Sequence, residues 1–108
     1  MQKIDQEVVQ NDQYVVMPFL LTDANGAPID ISGATLLLKV QEPGATTLKF
    51  SGAMTVLNGP LGSCQYIIQP GNFDTVGKFY AEIQITFLSN QIMTISGITI
   101  SVVPELPR

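Results

Sequence analysis

The side chains best suited to bind a ligand or a metal ion are aspartates in turn-like segments. Asp23 and Asn25 precede Gly26 in a pattern like the start of a calcium loop, in which oxygen ligands alternate around a sharp glycine turn. Asp30 and Asp74 would add oxygen ligands, but the bidentate glutamate that completes such a loop is absent. Since aspartate also stabilises turns, the sequence predicts no metal or cofactor site, and a weak calcium site near these three aspartates stays open.

The remaining residues argue against enzymatic chemistry. The chain has no histidine, which removes the commonest general base and the commonest zinc ligand. Cys64 is the single cysteine and stands in a strand-like apolar row, where a buried thiol is expected rather than a nucleophile. No phosphate-loop motif follows the glycine turns, and no carboxylate pair has the spacing for glycoside hydrolysis. We therefore predict that the protein is not an enzyme.

The chain contains few charged residues. Of the 108 residues, 45% are apolar and 13% are charged, whereas an average soluble chain has about 25% charged residues. The apolar groups are shorter than the about 20 residues that span a bilayer, and residues 1–7 lack the apolar core of a signal peptide. The net charge is −4 and the five basic residues are scattered. We expect no membrane or nucleic-acid partner, and synthesis in a reducing cytoplasm.

The clearest periodicity predicts a half-buried strand over residues 78–87. Apolar and polar positions alternate there, as they do in antiparallel strands with one buried face. The apolar positions are Phe79, Ala81, Ile83, Ile85 and Phe87. Over residues 93–102 the alternation changes register beside Gly97, which predicts a β-bulge that keeps the apolar row on one face.

Short strand patterns separated by turns occur along the whole chain. Turn residues recur about every eight to twelve residues, and no segment has helical periodicity. The sequence predicts an all-β protein, with a β-sandwich favoured and a small barrel as the alternative. We expect a single domain over 1–108, with 1–13 as an N-terminal arm or edge strand, 14–103 as the sandwich core and 104–108 as an extended tail.

Residues 21–35 are rich in turn chemistry. Asn25-Gly26 is the strongest short hairpin signal in the chain, because a type I′ turn needs positive φ at both central positions. Ser32-Gly33 predicts a second turn. We expect Ile29 and Ile31 to point inward between the turns and to hold this loop rigidly at one end of the sandwich.

Three segments carry a resemblance to a known family. They are Leu20-Leu21-Thr22-Asp23, Gly26-Ala27-Pro28-Ile29-Asp30-Ile31-Ser32-Gly33-Ala34-Thr35 and Asp74-Thr75-Val76-Gly77-Lys78-Phe79-Tyr80-Ala81-Glu82-Ile83. Over about residues 14–103 the chain resembles the immunoglobulin-like N-terminal domain of phage baseplate upper proteins, a module of tailed-phage virions. The resemblance implies an immunoglobulin-like antiparallel β-sandwich of about seven to nine strands.

The resemblance also implies a non-enzymatic virion structural protein. Such a protein would be made in the host bacterial cytoplasm and would dock to other virion proteins in a symmetric, multi-copy assembly. A baseplate or tail adaptor and a capsid decoration (cement) protein both fit this description.

Apolar residues on strand faces that should meet water predict where docking occurs. Scattered exposed apolar residues are common, but several of them in a chain with so few charges favour a contact surface with another protein. The predicted interface residues are Tyr14, Val16, Leu20, Leu37, Ile67 and Tyr80.

A carbohydrate-binding or host-adhesion module is the alternative function. Such a module stacks sugar rings on exposed aromatic side chains. This chain has no tryptophan, and its three tyrosines are Tyr14, Tyr66 and Tyr80. We expect Tyr80 to carry any such site.

Overall fold

A computed structural model describes residues 3–42 and 44–106 of the chain. Within these ranges the chain forms eight strands and no helix, and hence no helix long and apolar enough to cross a membrane. The strands are β1 (Ile4–Val9), β2 (Val16–Leu20), β3 (Thr35–Gln41), β4 (Leu48–Ala53), β5 (Thr55–Asn58), β6 (Ser63–Ile67), β7 (Gly77–Thr86) and β8 (Ile92–Val103).

The strands form two unequal sheets that pack face to face. The larger sheet has the order β1-β8-β7-β3-β4, and the smaller sheet has the order β2-β6-β5. The arrangement of β8-β7-β3 against β2-β6-β5 is that of an immunoglobulin sandwich, so the predicted fold class is confirmed. One pairing differs from the antiparallel prediction, because β1 runs parallel to β8 from Ile4↔Ile98 to Val9↔Val103. Parallel neighbours need a long connection, and most of the chain lies between these two strands.

The core lies between the two sheets and consists of apolar side chains. The alternation of β7 places Phe79, Ala81, Ile83 and Ile85 inward, as the sequence predicts. Among the described residues, no polar or charged residue is buried. Apolar packing therefore holds the two sheets together.

An aromatic cluster links the sheets. The ring of Phe73 packs edge-on against Phe50 of β4 and Phe79 of β7, with ring centroids 5.2 Å and 6.1 Å apart. Phe50 also stacks on Tyr66 of β6 at 5.8 Å. Phe73 lies in a turn of the connection between β6 and β7, and its side chain is buried. A turn thus supplies a core residue that strand alternation does not reveal.

The predicted bulge in β8 is present. Ala81 and Ile83 of β7 face Ile98 and Ile95 of β8, so β8 has one more residue than β7 between these two pairs. Gly97 lies in this extra length and has a φ of 80°, which glycine adopts without strain. Because Ile98 is buried and Ile95 is partly buried, the apolar row stays on the core side.

The loop between β2 and β3 contains the predicted hairpin turn, but the predicted turn type is wrong. The carbonyl oxygen of Asp23 accepts a hydrogen bond from Gly26 N (3.0 Å), and Gly26 has a positive φ whereas Asn25 does not. Ala24 and Asn25 are therefore the central residues, as in a type I turn with glycine in fourth position. The Asp23 carboxylate favours this geometry because it accepts bonds from the backbone amides of Asn25 and Ala27.

The second half of this loop is anchored to the core. Ile31 is buried and Ile29 is partly buried, as the sequence predicts. The amide of Ile29 donates to Leu21 O (3.0 Å), and the amide of Ile31 donates to Gly59 O (2.9 Å). The loop is therefore fixed to its neighbours by both backbone and side-chain contacts.

Gly62 and Gly26 allow a matched test of this anchoring. A Cβ at Gly62 would meet the carbonyl oxygens of Leu21 and Ile29, and Gly62 has a φ of 70°. Gly26 also has a positive φ, but a Cβ there meets nothing within 4 Å. We expect Gly26→Ala to lower the free energy of unfolding by about 1 kcal/mol, from backbone strain alone, and Gly62→Ala to lower it by about 3 kcal/mol. Equal losses in urea denaturation would contradict this account of the loop.

Candidate functional site

The aspartates of the β2–β3 loop are engaged by their own turns. Asp23 Oδ1 accepts from the backbone amides of Asn25 (2.8 Å) and Ala27 (3.0 Å). Asp30 Oδ1 accepts from Ser32 N (2.9 Å), and hydrogen bonds from Ser32 lower the pKa of the Asp30 carboxyl. These contacts are the turn-forming bonds that the sequence predicts for aspartate.

Asp74 forms an ion pair across the edge of the sandwich. Lys49 Nζ of β4 lies 2.8 Å from Asp74 Oδ1, which also accepts from Thr75 Oγ1 (3.1 Å). The hydrogen bond from Lys49 holds the pKa of the Asp74 carboxyl below its ordinary value, with a smaller effect from Thr75. Across residues 3–42 and 44–106, no three His, Cys, Asp or Glu residues form a group that could hold a metal ion.

Cys64 lies in the core of the smaller sheet. It pairs with Phe19 of β2 and Val56 of β5, and its side chain is buried. Burial raises the pKa of the Cys64 thiol to about 11, because the apolar surroundings disfavour the thiolate. The thiol is therefore neutral near pH 7 and packs as a small apolar side chain.

The structure divides the six predicted interface residues between two opposite faces. Tyr14, Val16, Leu20 and Ile67 lie on or beside the smaller sheet, whereas Leu37 and Tyr80 lie on the outer face of the larger sheet. The six residues therefore do not form one surface. Local periodicity could not reveal this division, because the partner sheet of each strand is set by long-range pairing.

The outer side of β2, β6 and β5 forms what we call the uncharged face. Val16 pairs with Ile67 at one end, and Leu20 pairs with Ser63 at the other. The exposed fractions are 47% for Val16, 57% for Leu20 and 38% for Ile67. None of these three strands contains Asp, Glu, Lys or Arg, whereas strands of the larger sheet carry six such residues.

Tyr14 extends the uncharged face at its edge. Its side chain is 66% exposed, and its backbone has a φ of 59°, an uncommon value for a residue other than glycine. The amide of Tyr14 donates to Ile68 O (2.6 Å), which ties this backbone to the end of β6. Val15 follows it and is exposed, although it stands two residues before the buried Met17. The left-handed backbone at Tyr14 interrupts the alternation of buried and exposed positions just before β2.

Leu37 is more covered than the sequence predicts. It points away from the core but is only partly accessible, because β3 has a neighbouring strand on each side. Ala53 of β4 and Gln84 of β7 are its direct neighbours. Leu37 is therefore less accessible than Leu20 of β2, which is exposed.

Leu57 and Leu61 are exposed apolar residues that the sequence reasoning missed. Leu57 lies in β5 and is 55% exposed, and Leu61 follows that strand and is 53% exposed. The available signal was the absence of charge across residues 50–73, which includes both leucines. The apolar pattern around β5 is short, so its alternation does not show on which side of the sheet Leu57 and Leu61 lie.

Cys64 provides a test of core burial by chemical labelling. Because its pKa is about 11, about one thiol in a thousand is ionised at pH 8, and the folded chain shields that thiolate. We expect no reaction of native protein with a thiol reagent such as DTNB over an hour, and complete reaction in denaturant. Rapid stoichiometric labelling of native protein would contradict the burial of this residue.

Comparison with known proteins identifies the family of the chain. The family described as BppU N-terminal domain matches residues 3–107. A comparison with curated proteins finds no match. The family match covers almost the whole chain and confirms the resemblance noted from the sequence. The chain belongs to the BppU N-terminal domain family, the N-terminal domain of phage baseplate upper proteins.

Proposed function

We propose that this chain is a non-enzymatic baseplate adaptor that docks to other virion proteins through the uncharged face. Family membership makes the chain a phage baseplate structural domain and a virion component. The adaptor role, the docking surface and the multi-copy assembly are the proposal. The roles of the potentially reactive side chains support it. Asp23 and Asp30 accept hydrogen bonds within turns, Asp74 pairs with Lys49, and Cys64 is buried in the core.

The observation that carries the proposal is the apolar character of both sides of β2. Residues 14–21 form an unbroken apolar run. Strands that are covered on both faces have such runs, whereas strands with one solvated face alternate. In the chain itself, Met17 and Phe19 are buried against the larger sheet, which leaves Val16 and Leu20 on the outside. This pattern supports a partner that covers the second face.

The composition of the face also fits a protein partner. The cores of protein interfaces are depleted in charged residues and enriched in tyrosine, and Tyr14 stands at the rim of a face with no charged strand residue. Burying an exposed leucine or isoleucine contributes about 1.5 kcal/mol or more. The uncharged face therefore has the chemistry of an interface core.

The strands of the uncharged face alone are smaller than a stable interface, so docking through this face would need further contacts or several copies. Three strands of about five residues cover about 17 Å by 14 Å, or roughly 240 Å². A stable interface needs about 800 Å² from each partner. Tyr14, Val15, Leu57 and Leu61 widen the contact, and repeated copies in a symmetric particle would add avidity to weak individual contacts.

A reconstruction of the phage particle tests the adaptor role. We expect the chain in the baseplate, in several symmetry-related copies, with Val16, Leu20 and Ile67 covered by another baseplate protein. If all three side chains face solvent, the proposed docking surface is wrong. If the chain lies on the capsid, the decoration role replaces the adaptor role.

Charge substitutions test the same surface in the assembled virion. Leu20→Lys and Ile67→Lys each place a charge on the uncharged face, and we expect at least about a tenfold loss of incorporation into particles. Since both residues are exposed, the free energy of unfolding should change by about 0.5 kcal/mol or less. Incorporation is measured by quantitative mass spectrometry of purified phage.

Leu88→Lys is the matched control for this test. Leu88 is 81% exposed and belongs to the connection between β7 and β8, not to a strand of the uncharged face. We expect this variant to enter particles at the wild-type level. Equal incorporation of all three lysine variants would contradict docking through the uncharged face.

A further inference from the structure

The outer face of the larger sheet contains a depression of about 480 Å³, which we call the Tyr80 groove. It lies on the side of the sandwich opposite the uncharged face, so it is separate from the proposed docking surface. Its volume is within the range of small-molecule sites, about 300–1,000 Å³. Its lining includes Lys39, Gln41, Leu48, Tyr80, Glu82 and Thr99.

The bulge in β8 opens this groove. Glu82 of β7 faces the bulged residues Ser96 and Gly97, because its neighbours Ala81 and Ile83 pair with Ile98 and Ile95. Ser96 and Gly97 line the groove together with Glu82. The feature that restores the apolar register of β8 thus also shapes the outer surface.

Tyr80 presents an aromatic ring between two polar side chains. It is 52% exposed, and its direct cross-strand neighbours are Gln41 of β3 and Thr99 of β8. Neighbouring strands lie about 4.8 Å apart, so the Gln41 carboxamide and the Thr99 hydroxyl flank the ring within reach of the substituents of one bound pyranose. Gln41 Nε2 donates to Ala45 O, which leaves Oε1 to accept from a sugar hydroxyl. The C–H face of a sugar packs on an aromatic face, and its hydroxyls exchange hydrogen bonds with amide and hydroxyl groups.

Glu82 and Lys39 form the next row of the groove. They are direct cross-strand neighbours, and Lys39 Nζ donates to Gln84 Oε1 (2.7 Å). A carboxylate accepts bonds from two adjacent hydroxyls at once, so Glu82 suits a diol. Lys3 and Lys39 line the groove together with Glu82, so it carries charges of both signs, and Leu48 and Ile98 add apolar surface. Such a mixed lining fits an uncharged ring that has an apolar C–H face and several hydroxyl groups.

We propose that the Tyr80 groove binds a neutral hexose unit of a glycan, with Tyr80 as the stacking platform and Gln41, Glu82 and Thr99 as partners of its hydroxyls. These residues lie on β3, β7 and β8, each of which has a hydrogen-bonded strand on both sides. The polar groups are therefore held on rigid elements before the ligand arrives, which reduces the entropic cost of binding.

Sugar titration monitored by NMR tests the proposal. The probes are glucose, galactose, N-acetylglucosamine and their β-linked disaccharides, added to ¹⁵N-labelled protein up to tens of millimolar. We expect at least one probe to shift amides around Tyr80, Glu82 and Gly97. We expect Tyr80→Ala to weaken this binding at least about tenfold and Tyr80→Phe to retain it, because phenylalanine keeps the ring.

Tyr14→Ala is the matched control, since it removes an exposed tyrosine from the other side of the sandwich. It should bind the sugar as the wild type does, whereas Glu82→Gln should weaken binding. The proposal is overturned if no probe shifts these amides in wild-type protein, or if Tyr80→Ala binds as tightly as wild type. A virion reconstruction with another protein seated on Tyr80 would also overturn it and would leave docking through the uncharged face intact.

Discussion

Apolar packing between two sheets of unequal size is the interaction on which the rest of the structure depends. Among the described residues nothing polar is buried, so contacts such as those of Phe50, Phe73 and Tyr66 hold the sheets together. The requirement that alternate side chains face the other sheet fixes the register of each strand. The bulge at Gly97 preserves that register in the longest strand.

The same constraint leaves two outer faces with different chemistry. The larger sheet alternates apolar and polar residues, so charges such as Lys39, Lys78 and Glu82 occupy its outer side. In the smaller sheet β2 is apolar on both sides, whereas β6 alternates and places the polar residues Ser63 and Gln65 outward. Exposed apolar side chains such as those of Val16 and Leu20 are unfavourable in water, and burial within an assembly would remove that cost.

The sequence predicted those features that depend on neighbouring residues. The alternation in β7, the bulge beside Gly97 and the inward position of Ile31 all follow from local patterns, and the structure shows each of them. The type I′ turn at Asn25-Gly26 was wrong, because the Asp23 carboxylate stabilises a different turn. The separation of Leu20 from Tyr80 could not be predicted, since it depends on strand pairing between distant residues.

The parallel pairing of β1 and β8 gives the sandwich a particular resistance to tension. Ile4 lies beside Ile98 at one end of this pair, and Val9 lies beside Val103 at the other. A pull on the chain at Ile4 and Val103 therefore drives the two strands past each other along their length. In this shear geometry the ladder hydrogen bonds share the load, whereas in a peeled hairpin they break one after another. The direction of the first strand is therefore a mechanical property as well as a topological one.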